Sequence, residues 1–320
     1  EILEIVNTSP ERQSVVGNIQ EIDVLGEFAD HVCSVIDVSN LRALKVVADT
    51  ANGMGGLILP PIFKKLPFEL EILFPELDGN FPNHPADPLR QENQEHLRQR
   101  VLETKADIGL AFDGDADRVF LLDEKGESIS GSLTTALIAD QILREKSDES
   151  VIYNLICSKV VPEVILERGG IGIRSRVGHS FIKELMEKHD AVFAGEHSGH
   201  YYFRENYRAD SGVMASLVVL RALSQYQGKL SEMLEPFERY ESSGELNFSV
   251  TDVRASIEKI EEHYKTSIVD RLDGLTVDVG DWWFNLRPSN TEPLLRLNIE
   301  ANNKKVCAQA IEEVRTLLTQ

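Results

Sequence analysis

The sequence predicts an α/β fold with two similar three-layer α/β domains and a smaller α+β C-terminal domain that has an antiparallel sheet. Up to about residue 240, short apolar strands alternate with longer amphipathic helices, and this pattern restarts once near residue 128. Beyond Tyr240 the strands come in a run, with helices at the ends. A length of 320 residues allows about two or three domains.

The elements follow from apolar periodicity and turn residues. In the first unit, strands are predicted at 44–49, 70–74, 108–112 and 119–122, and helices after the turn at 52–56 and over 92–103. In the second unit, helices are predicted at 134–144, 159–167, 180–188 and 210–225, and strands at 151–156, 171–174 and 191–194. In the last unit, strands are predicted at 245–250, 276–279, 283–286 and 294–299, and helices at 255–264 and 304–318.

These elements place domains at 21–127, 128–239 and 240–320. Residues 1–6 are typical of the last turns of a helix, so residues 1–20 are interpreted as the tail of a missing N-terminal domain. The absence of a low-complexity linker predicts that the domains pack against one another. The glycine-rich turn at 52–56 lacks the G-x-G-x-x-G spacing of a dinucleotide site and is interpreted as structural.

The net charge and the cysteine content narrow the range of possible binding partners and cellular locations. The net charge of −20 argues against nucleic acid or an anionic membrane as a partner, because both need basic protein surface. No apolar run has the length of a membrane span. Cys33, Cys157 and Cys307 are odd in number and widely scattered, which favours a reduced, cytoplasmic location.

A loop with three aspartates is the most informative motif. Asp113, Asp115 and Asp117 alternate between two short apolar flanks, and Arg118 follows directly. Carboxylates this close repel one another unless a cation lies between them, and a site made of oxygen ligands suits Mg²⁺. The arginine could bind the same phosphate as the metal. The motif therefore predicts a metal loop for phosphoryl transfer.

Two alternatives compete with this interpretation. An acidic surface turn ranks second, although turns rarely place three aspartates in strict alternation between strands. A calcium loop of the EF-hand type ranks third. Glu124 falls at its twelfth position, but Arg118 occupies the sixth, which needs glycine, and the flanks are predicted as strands where an EF-hand has helices.

A polar segment, GEHSGH at 195–200, follows the strand at 191–194, where open α/β sheets bind ligands. Glu196 and Ser198 alternate, so a carboxylate and a hydroxyl can face two neighbouring sugar hydroxyls. His200 could stabilise a phosphate or move a proton. On these residues alone, a polar turn with a surface histidine is an equal alternative.

Two further segments predict anion binding. Arg176 and His179 lie before or at the start of a predicted helix, where free backbone N–H groups attract anions, although a basic helix-start loop is somewhat favoured. RPSNTEP, at 287–293, concentrates hydrogen-bond donors between two predicted strands. A proline-bounded hairpin loop is the alternative there, but the density of donors favours a phosphate site. Its candidate ligands are Arg287, Ser289, Asn290 and Thr291.

The order of DGDADR, RVGHSFIK, GEHSGH and RPSNTEP resembles the α-D-phosphohexomutase family, in particular its bacterial phosphomannomutase/phosphoglucomutase branch. The resemblance covers the chain from about Ile22 onward. It implies a four-domain enzyme that interconverts hexose 1-phosphate and hexose 6-phosphate, with mannose or glucose as the sugar. It also implies a phosphoserine on the first domain and a hexose 1,6-bisphosphate intermediate.

The resemblance assigns roles to the candidate residues. Asp113, Asp115 and Asp117 would hold Mg²⁺, and Arg118 would steady the transferring phosphoryl group. Glu196 and Ser198 would bind two sugar hydroxyls. The remaining candidates would bind the other phosphate (Arg287, Ser289, Asn290 and Thr291) or line the cleft (Arg176, His179 and His200).

The sequence also departs from the family pattern. The serine loop, of the form Thr-Ala-Ser-His-Asn-Pro, does not occur in it. Position 197 is His where relatives often have Met, and Arg176 stands where some have Lys. The chain is therefore expected to correspond to domains two to four and to be inactive alone. A sugar-phosphate-binding protein without catalysis, on the same fold, is the alternative.

Overall fold

Three five-stranded sheets follow one another along the chain in this computed structural model. The structure describes residues 2–8, 17–37, 40–289 and 294–319. The predicted fold class is confirmed, because the first two sheets are mixed and the third is antiparallel. Within the described ranges, no helix has the length and apolar character that crossing a membrane requires.

The first unit has a mixed sheet and one tail helix. Its elements are α1 (Ile2–Asn7), α2 (Leu25–Val35), β1 (Lys45–Asp49), α3 (Gly55–Phe63), β2 (Glu69–Leu73), α4 (Glu95–Thr104), β3 (Ile108–Phe112), β4 (Val119–Leu122) and β5 (Ser128–Ile129). The strand order is β2-β1-β3-β4-β5, with β1, β2 and β3 parallel and β4 and β5 antiparallel. Strand β3 is buried throughout because it is central, so its carboxyl end is a fixed platform for the loop that follows.

The second unit repeats this topology. Its elements are α5 (Gly131–Glu145), β6 (Ser150–Asn154), α6 (Val160–Glu167), β7 (Ile171–Ser175), α7 (His179–His189), β8 (Phe193–Gly195), β9 (Tyr201–Phe203), β10 (Ala209–Asp210), α8 (Gly212–Gln225) and α9 (Leu230–Leu234). The order β7-β6-β8-β9-β10 matches β2-β1-β3-β4-β5 of the first unit, so the predicted likeness between the two units is confirmed.

Helix α8 joins the cores of these two units. All its residues from Gly212 to Ser224 are buried, and it contacts both β4 and α5. The sequence placed its start at Asp210, which was wrong by two residues. Asp210 belongs to β10, and the Ser211 side chain caps the helix by accepting a hydrogen bond from the Met214 N–H.

The third unit is an antiparallel sheet with its own core. Its elements are β11 (Glu241–Ser249), α10 (Val253–His263), β12 (Ile268–Asp270), β13 (Leu275–Asp278), β14 (Trp282–Pro288), β15 (Leu294–Ala301) and α11 (Lys304–Thr319). The strand order is β11-β15-β14-β13-β12. Arg287 and Pro288 were predicted in a loop, but they belong to β14, where Arg287 pairs with Arg296 of β15.

Polar contacts fix the third unit on the second. The Lys159 N–H and the Trp283 indole N–H both donate to the Glu300 Oε1, each at 2.9 Å. The Lys159 ammonium also lies 2.7 Å from an Asp278 carboxylate oxygen. The sequence-based prediction that the domains pack together is therefore confirmed for these units.

Candidate active site

The aspartate loop connects two central strands of the first sheet. Asp113 follows β3 directly, and Arg118 directly precedes β4. Ala116 has a left-handed backbone (φ 63°), which turns the short loop back on itself. Carboxylate oxygens of Asp113, Asp115 and Asp117 consequently lie within 4.8 Å of one another.

The charges in this loop are only partly compensated. The Arg118 Nε donates to the Asp113 Oδ2 at 2.7 Å, and its backbone N–H donates to the Oδ1 at 3.1 Å. Burial, together with the charge of Asp113 and that of Asp115, raises the pKa of Asp117 to about 7. A divalent cation would relieve this repulsion, so the donor set fits the predicted Mg²⁺.

The calcium-loop alternative is wrong. The motif is flanked by strands β3 and β4, whereas an EF-hand needs helices. Glu124, the residue at the twelfth position, is turned to the second unit, where its carboxylate accepts hydrogen bonds from the Ser231 hydroxyl at 2.7 Å and the Ser231 N–H at 3.2 Å.

The glycine-rich turn after β1 packs against the backbone of the aspartate loop, which we also call the metal loop. The Met54 N–H donates to the Gly114 carbonyl at 2.8 Å. At Gly53, an added Cβ would lie 2.5 Å from the same carbonyl oxygen, so only glycine allows this approach. An Asp87 carboxylate oxygen also lies 3.6 Å from the Arg118 Nη1. The turn thus has a structural role, as the sequence suggested, because it fixes the position of this loop through Gly114.

Glu196 lies at the carboxyl end of β8, where the sequence predicted sugar binding. Its side chain is buried, with 2% of the residue exposed. Its Oε1 accepts from the Asn154 Nδ2 at 3.2 Å and the Gly178 N–H at 3.4 Å, and its Oε2 accepts from the Tyr202 hydroxyl at 3.0 Å. Ser198, two residues on, lies 3.0 Å from the His200 Nδ1 through its hydroxyl. The carboxylate is thus held rigidly, as a positioned binding group requires.

The aspartate loop and the loop at 195–200, called the sugar loop after its predicted role, meet between the first two units. Arg118 and His200 form an isolated antiparallel bridge, and the His200 Nε2 lies 3.6 Å from the Asp117 Oδ1. Burial, and then the neighbouring His179, lowers the pKa of His200 to about 4. His200 is therefore neutral at pH 7 and can donate or accept a hydrogen bond between the two loops.

His179 is the first residue of α7 and faces the same region. Its Nδ1 lies 2.9 Å from the Tyr202 hydroxyl and 3.2 Å from an Asp210 carboxylate oxygen, and its ring stands 4.5 Å from that of His200. Arg176 lies three residues earlier, with its guanidinium 4.4 Å from the ring centroid of Phe181. The structure thus places His179 next to the sugar loop. Arg176 lies before α7, and its guanidinium stacks on Phe181 in the first turn of that helix.

A second group in the described part of the chain also has metal-ligand types. Ligand atoms of His179, His200 and Asp210 lie within 4.8 Å of one another. The Lys183 ammonium, however, is 3.4 Å from the Asp210 Oδ1 and already supplies a positive charge. The aspartate loop is the better cation site, because its carboxylates are less compensated.

The predicted phosphate site is built on paired strands rather than on a free loop. Arg287 is buried, with 7% exposed, and its Nη2 lies 3.2 Å from the Glu245 Oε2. Arg296, directly opposite on β15, lies 3.4 Å from the other oxygen of the same carboxylate and reaches the Ser289 Oγ at 3.4 Å. Two guanidinium groups thus share one carboxylate, which leaves positive charge for an anion.

The positive charge of these two arginines affects a histidine of the sugar loop. Burial, followed by the charge of Arg287, lowers the pKa of His197 to about 3, and Arg296 contributes to the effect. Arg287 and Arg296 therefore lie close enough to the loop at 195–200 for their charges to act on His197. The two other predicted phosphate ligands, Asn290 and Thr291, lie outside the described residues.

Sequence reasoning missed several polar groups of this region. Arg296 carried a signal, because pairing the two predicted strands places it opposite Arg287. Asp210 was included in a helix, and Tyr202 stands in an apolar run with no sign of a polar role. Glu245 is 42 residues from the arginine it pairs with, and only the tertiary fold brings them together.

The chain is thus an α/β protein with two tandem α/β units, of which the first carries a carboxylate loop, and an antiparallel unit with paired arginines. Models of phosphoglucomutase/phosphomannomutase match the chain in three parts: alpha/beta/alpha domain II at residues 26–126, alpha/beta/alpha domain III at 130–240 and the C-terminal domain at 245–317. The chain therefore belongs to the phosphoglucomutase/phosphomannomutase family.

Individual proteins give the same result. The phosphomannomutase of Methanocaldococcus jannaschii is 43% identical over 277 residues, which are 86% of this chain and 62% of the relative. The phosphohexose mutases of Xanthomonas campestris are 39% identical over 295 residues, 91% of this chain and 66% of the relative. The phosphomannomutase of Escherichia coli is 38% identical over 311 residues, 95% of this chain and 68% of the relative. The chain thus spans about two thirds of the length of these relatives.

Solved structures share the fold. A phosphoglucomutase/phosphomannomutase family protein of Burkholderia thailandensis matches with a TM-score of 0.88 and 30% identity, over 99% of this chain and 68% of that one. The N-acetylphosphoglucosamine mutase of Aspergillus fumigatus, solved with GlcNAc-6P and magnesium, matches with a TM-score of 0.68. At 15% identity, over 92% of this chain and 64% of that one, it supports the fold alone.

Proposed function

We propose that this chain forms the metal-, sugar- and phosphate-binding part of a mutase that interconverts hexose 1-phosphate and hexose 6-phosphate, with mannose or glucose as the sugar. The observation that carries the proposal is the proximity of two loops and one pair of strands that come from three units. Arg118 bridges to His200, and the charge of Arg287 acts on His197 next to Glu196. The names of the relatives, phosphomannomutase and phosphohexose mutases, support the same reaction class.

The roles divide by domain. Residues 21–127 form the metal-binding domain, 128–239 the sugar-binding domain, and 240–320 the phosphate-binding domain. Glu196 and Ser198 bind two ring hydroxyls, with Arg176, His179 and His200 lining the cleft beside them. Arg287, Ser289, Asn290 and Thr291 hold the phosphate that does not react.

The metal site is assigned to Asp113, Asp115 and Asp117, with Mg²⁺ as the ion. Bound there, Mg²⁺ would withdraw charge from the oxygens of the reacting phosphate. Arg118, already oriented by Asp113, would contact the same phosphate. The Aspergillus fumigatus mutase, which shares the fold, is itself solved with magnesium, and a variant of it is solved with glucose 1,6-bisphosphate.

In the reaction, a phosphoserine gives its phosphoryl group to the free hydroxyl of the sugar phosphate, which forms the 1,6-bisphosphate. The bisphosphate turns around, and its other phosphoryl group returns to the serine. The printed sequence has no Thr-Ala-Ser-His-Asn-Pro loop to supply that serine. We therefore propose that these 320 residues alone bind the ligand without turnover.

Calorimetry with glucose 1,6-bisphosphate and Mg²⁺ tests the binding role. D115N, which removes one metal ligand, should weaken Mg²⁺ binding and, with it, bisphosphate binding. D148N removes the same charge from an exposed position outside the site and serves as the control. Equal binding by all three proteins would remove the aspartate loop from the site.

A turnover assay on the 320-residue chain tests the proposal that it binds the ligand without catalysing the reaction. No mutase activity above background is expected with glucose 1-phosphate, Mg²⁺ and bisphosphate. Measured activity would show that the serine loop is dispensable.

Reading the coding sequence upstream of Glu1 separates the enzyme from the non-catalytic binding protein. A serine loop in frame supports the mutase, and an initiator codon close to Glu1 supports the binding protein.

A further inference from the structure

The Tyr202 hydroxyl lies between two of the candidate site residues. It is 3.0 Å from the Glu196 Oε2 and 2.9 Å from the His179 Nδ1. The residue is fully buried, and its ring packs in a small core with Ile182 and Met186 of α7. The hydroxyl is therefore fixed in position by packing rather than held by its polar partners alone.

The protons in this chain of contacts can be assigned. A phenol has one proton to donate, and an ionised carboxylate can only accept. Tyr202 therefore donates to Glu196, so its contact with His179 must run the other way, with the Nδ1–H donating to the phenol oxygen. Burial, then the charges of Glu196 and Asp210, raises the pKa of Tyr202, which keeps its proton in place.

Asp210 favours the same assignment. Its Oδ2 lies 3.2 Å from the His179 Nδ1 without forming a hydrogen bond, but its negative charge favours a proton on this nitrogen. Both groups around the Nδ1 thus favour a proton there. In neutral histidine the other ring nitrogen, Nε2, then carries the lone pair.

We propose that Tyr202 is a positioning residue that couples the sugar-binding carboxylate of Glu196 to His179. Through this contact it holds the histidine as the Nδ1–H tautomer, with the Nε2 as the nitrogen that exchanges a proton with bound ligand. The ligand part of this inference rests on the proposed function. The tautomer does not, because it follows from the hydrogen bonds of the chain itself.

The coupling has a functional consequence. The Tyr202 hydroxyl and two other donors hold the Glu196 carboxylate in the orientation in which it would accept a hydrogen bond from a sugar hydroxyl. Removing that phenol leaves Glu196 with two of its three donors, so the carboxylate is less well positioned, and it removes the hydrogen-bond acceptor of the His179 Nδ1. One substitution should therefore change both sugar binding and the protonation pattern of the imidazole, which a residue that only fills the core would not do.

The tautomer can be read by NMR from the chain labelled with ¹⁵N-histidine. Long-range ¹H–¹⁵N spectra distinguish the two nitrogens, and H179Q identifies the signals by removing them. At about pH 8.5, where imidazole itself is neutral, His179 is expected as the Nδ1–H form. An Nε2–H form in the unmutated chain would overturn the assignment without the need for any variant.

Tyr202→Phe tests the coupling, and Tyr201→Phe is the matched control. Tyr201 is the buried neighbour on the same strand, with its side chain on the opposite face. In Y202F, part of the His179 population should shift to the Nε2–H form. Affinity for glucose 6-phosphate should fall about 10-fold, the ratio that loss of a hydrogen bond to a charged group gives. Y201F should change neither.

Two results with the variants would also reject the proposal. A Y202F spectrum and affinity equal to those of the unmutated chain would remove the coupling. A tautomer shift in D210N but not in Y202F would assign the positioning role to Asp210 instead. If the unmutated chain binds no hexose phosphate, the proposed function fails, while the tautomer measurement still decides the hydrogen-bond assignment.

Discussion

Replacing Gly53 with alanine should weaken magnesium binding, although Gly53 is not a ligand. The added Cβ would lie 2.5 Å from the Gly114 carbonyl oxygen, and 2.8 Å and 2.9 Å from the Cα and the carbonyl carbon of that residue. All three atoms are backbone of the metal loop, so no side-chain rotation can relieve the clash. The loop must move away by about 0.9 Å to restore an ordinary contact of 3.4 Å.

The size of the effect follows from where the strain is absorbed. Overpacking of this kind costs about 1–3 kcal/mol. If the loop takes up the strain, Mg²⁺ affinity falls by about 5- to 150-fold, since each 1.4 kcal/mol is a factor of ten. The Met54 N–H, which donates to the same carbonyl at 2.8 Å, should also lose its hydrogen bond.

Calorimetric titration with Mg²⁺ measures this effect. G79A is the control, because a Cβ on Gly79, in another loop of the same unit, has nothing within 4 Å. Thermal unfolding of both variants shows whether the strain is global. A G53A protein that binds Mg²⁺ as tightly as the unmutated chain would refute the reasoning, whether or not its stability had fallen.

Two further predictions concern phosphate binding and pH. R287A should weaken binding of glucose 6-phosphate by about 1.5–3 kcal/mol through loss of a charge-assisted contact. The exposed R254A is the control and should leave the affinity unchanged. Equal affinities of the two variants in calorimetry would exclude Arg287 from the phosphate site. The pKa of His84 is raised by its hydrogen bond to Asp49. Its contribution to stability should therefore be complete below about pH 6.5 and be lost as the pH rises through the folded-state pKa. Urea unfolding of the unmutated chain and H84Q at about pH 5.5 and 8.5 checks this, and a stability difference that grows with pH would contradict it.

Much of the fold was predictable because it follows from local patterns. Strand β3 and the loop after it could be located from five apolar residues followed by alternating aspartates. The repeat of the first unit in the second was also visible, since both alternate strands and helices in the same order. The position of a ligand site at strand ends follows from the same topology.

The parts that the sequence did not reveal depend on long-range packing. Helix α8 is buried on all sides because two units enclose it, which no period in its sequence indicates. Arg287 was placed in a loop by the prolines and polar residues around it, but its pairing with Arg296 extends the strands. The polar role of Tyr202 depends on partners 6 and 23 residues away, which the sheet brings together.

The most direct test of the account is a crystal structure of the chain with Mg²⁺ and glucose 1,6-bisphosphate. We expect the metal on the aspartate loop with one phosphate beside Arg118, ring hydroxyls on Glu196 and Ser198, and the other phosphate on Arg287. A ligand held by one unit alone, with the other two loops more than about 6 Å from it, would contradict the claim that three units build one site.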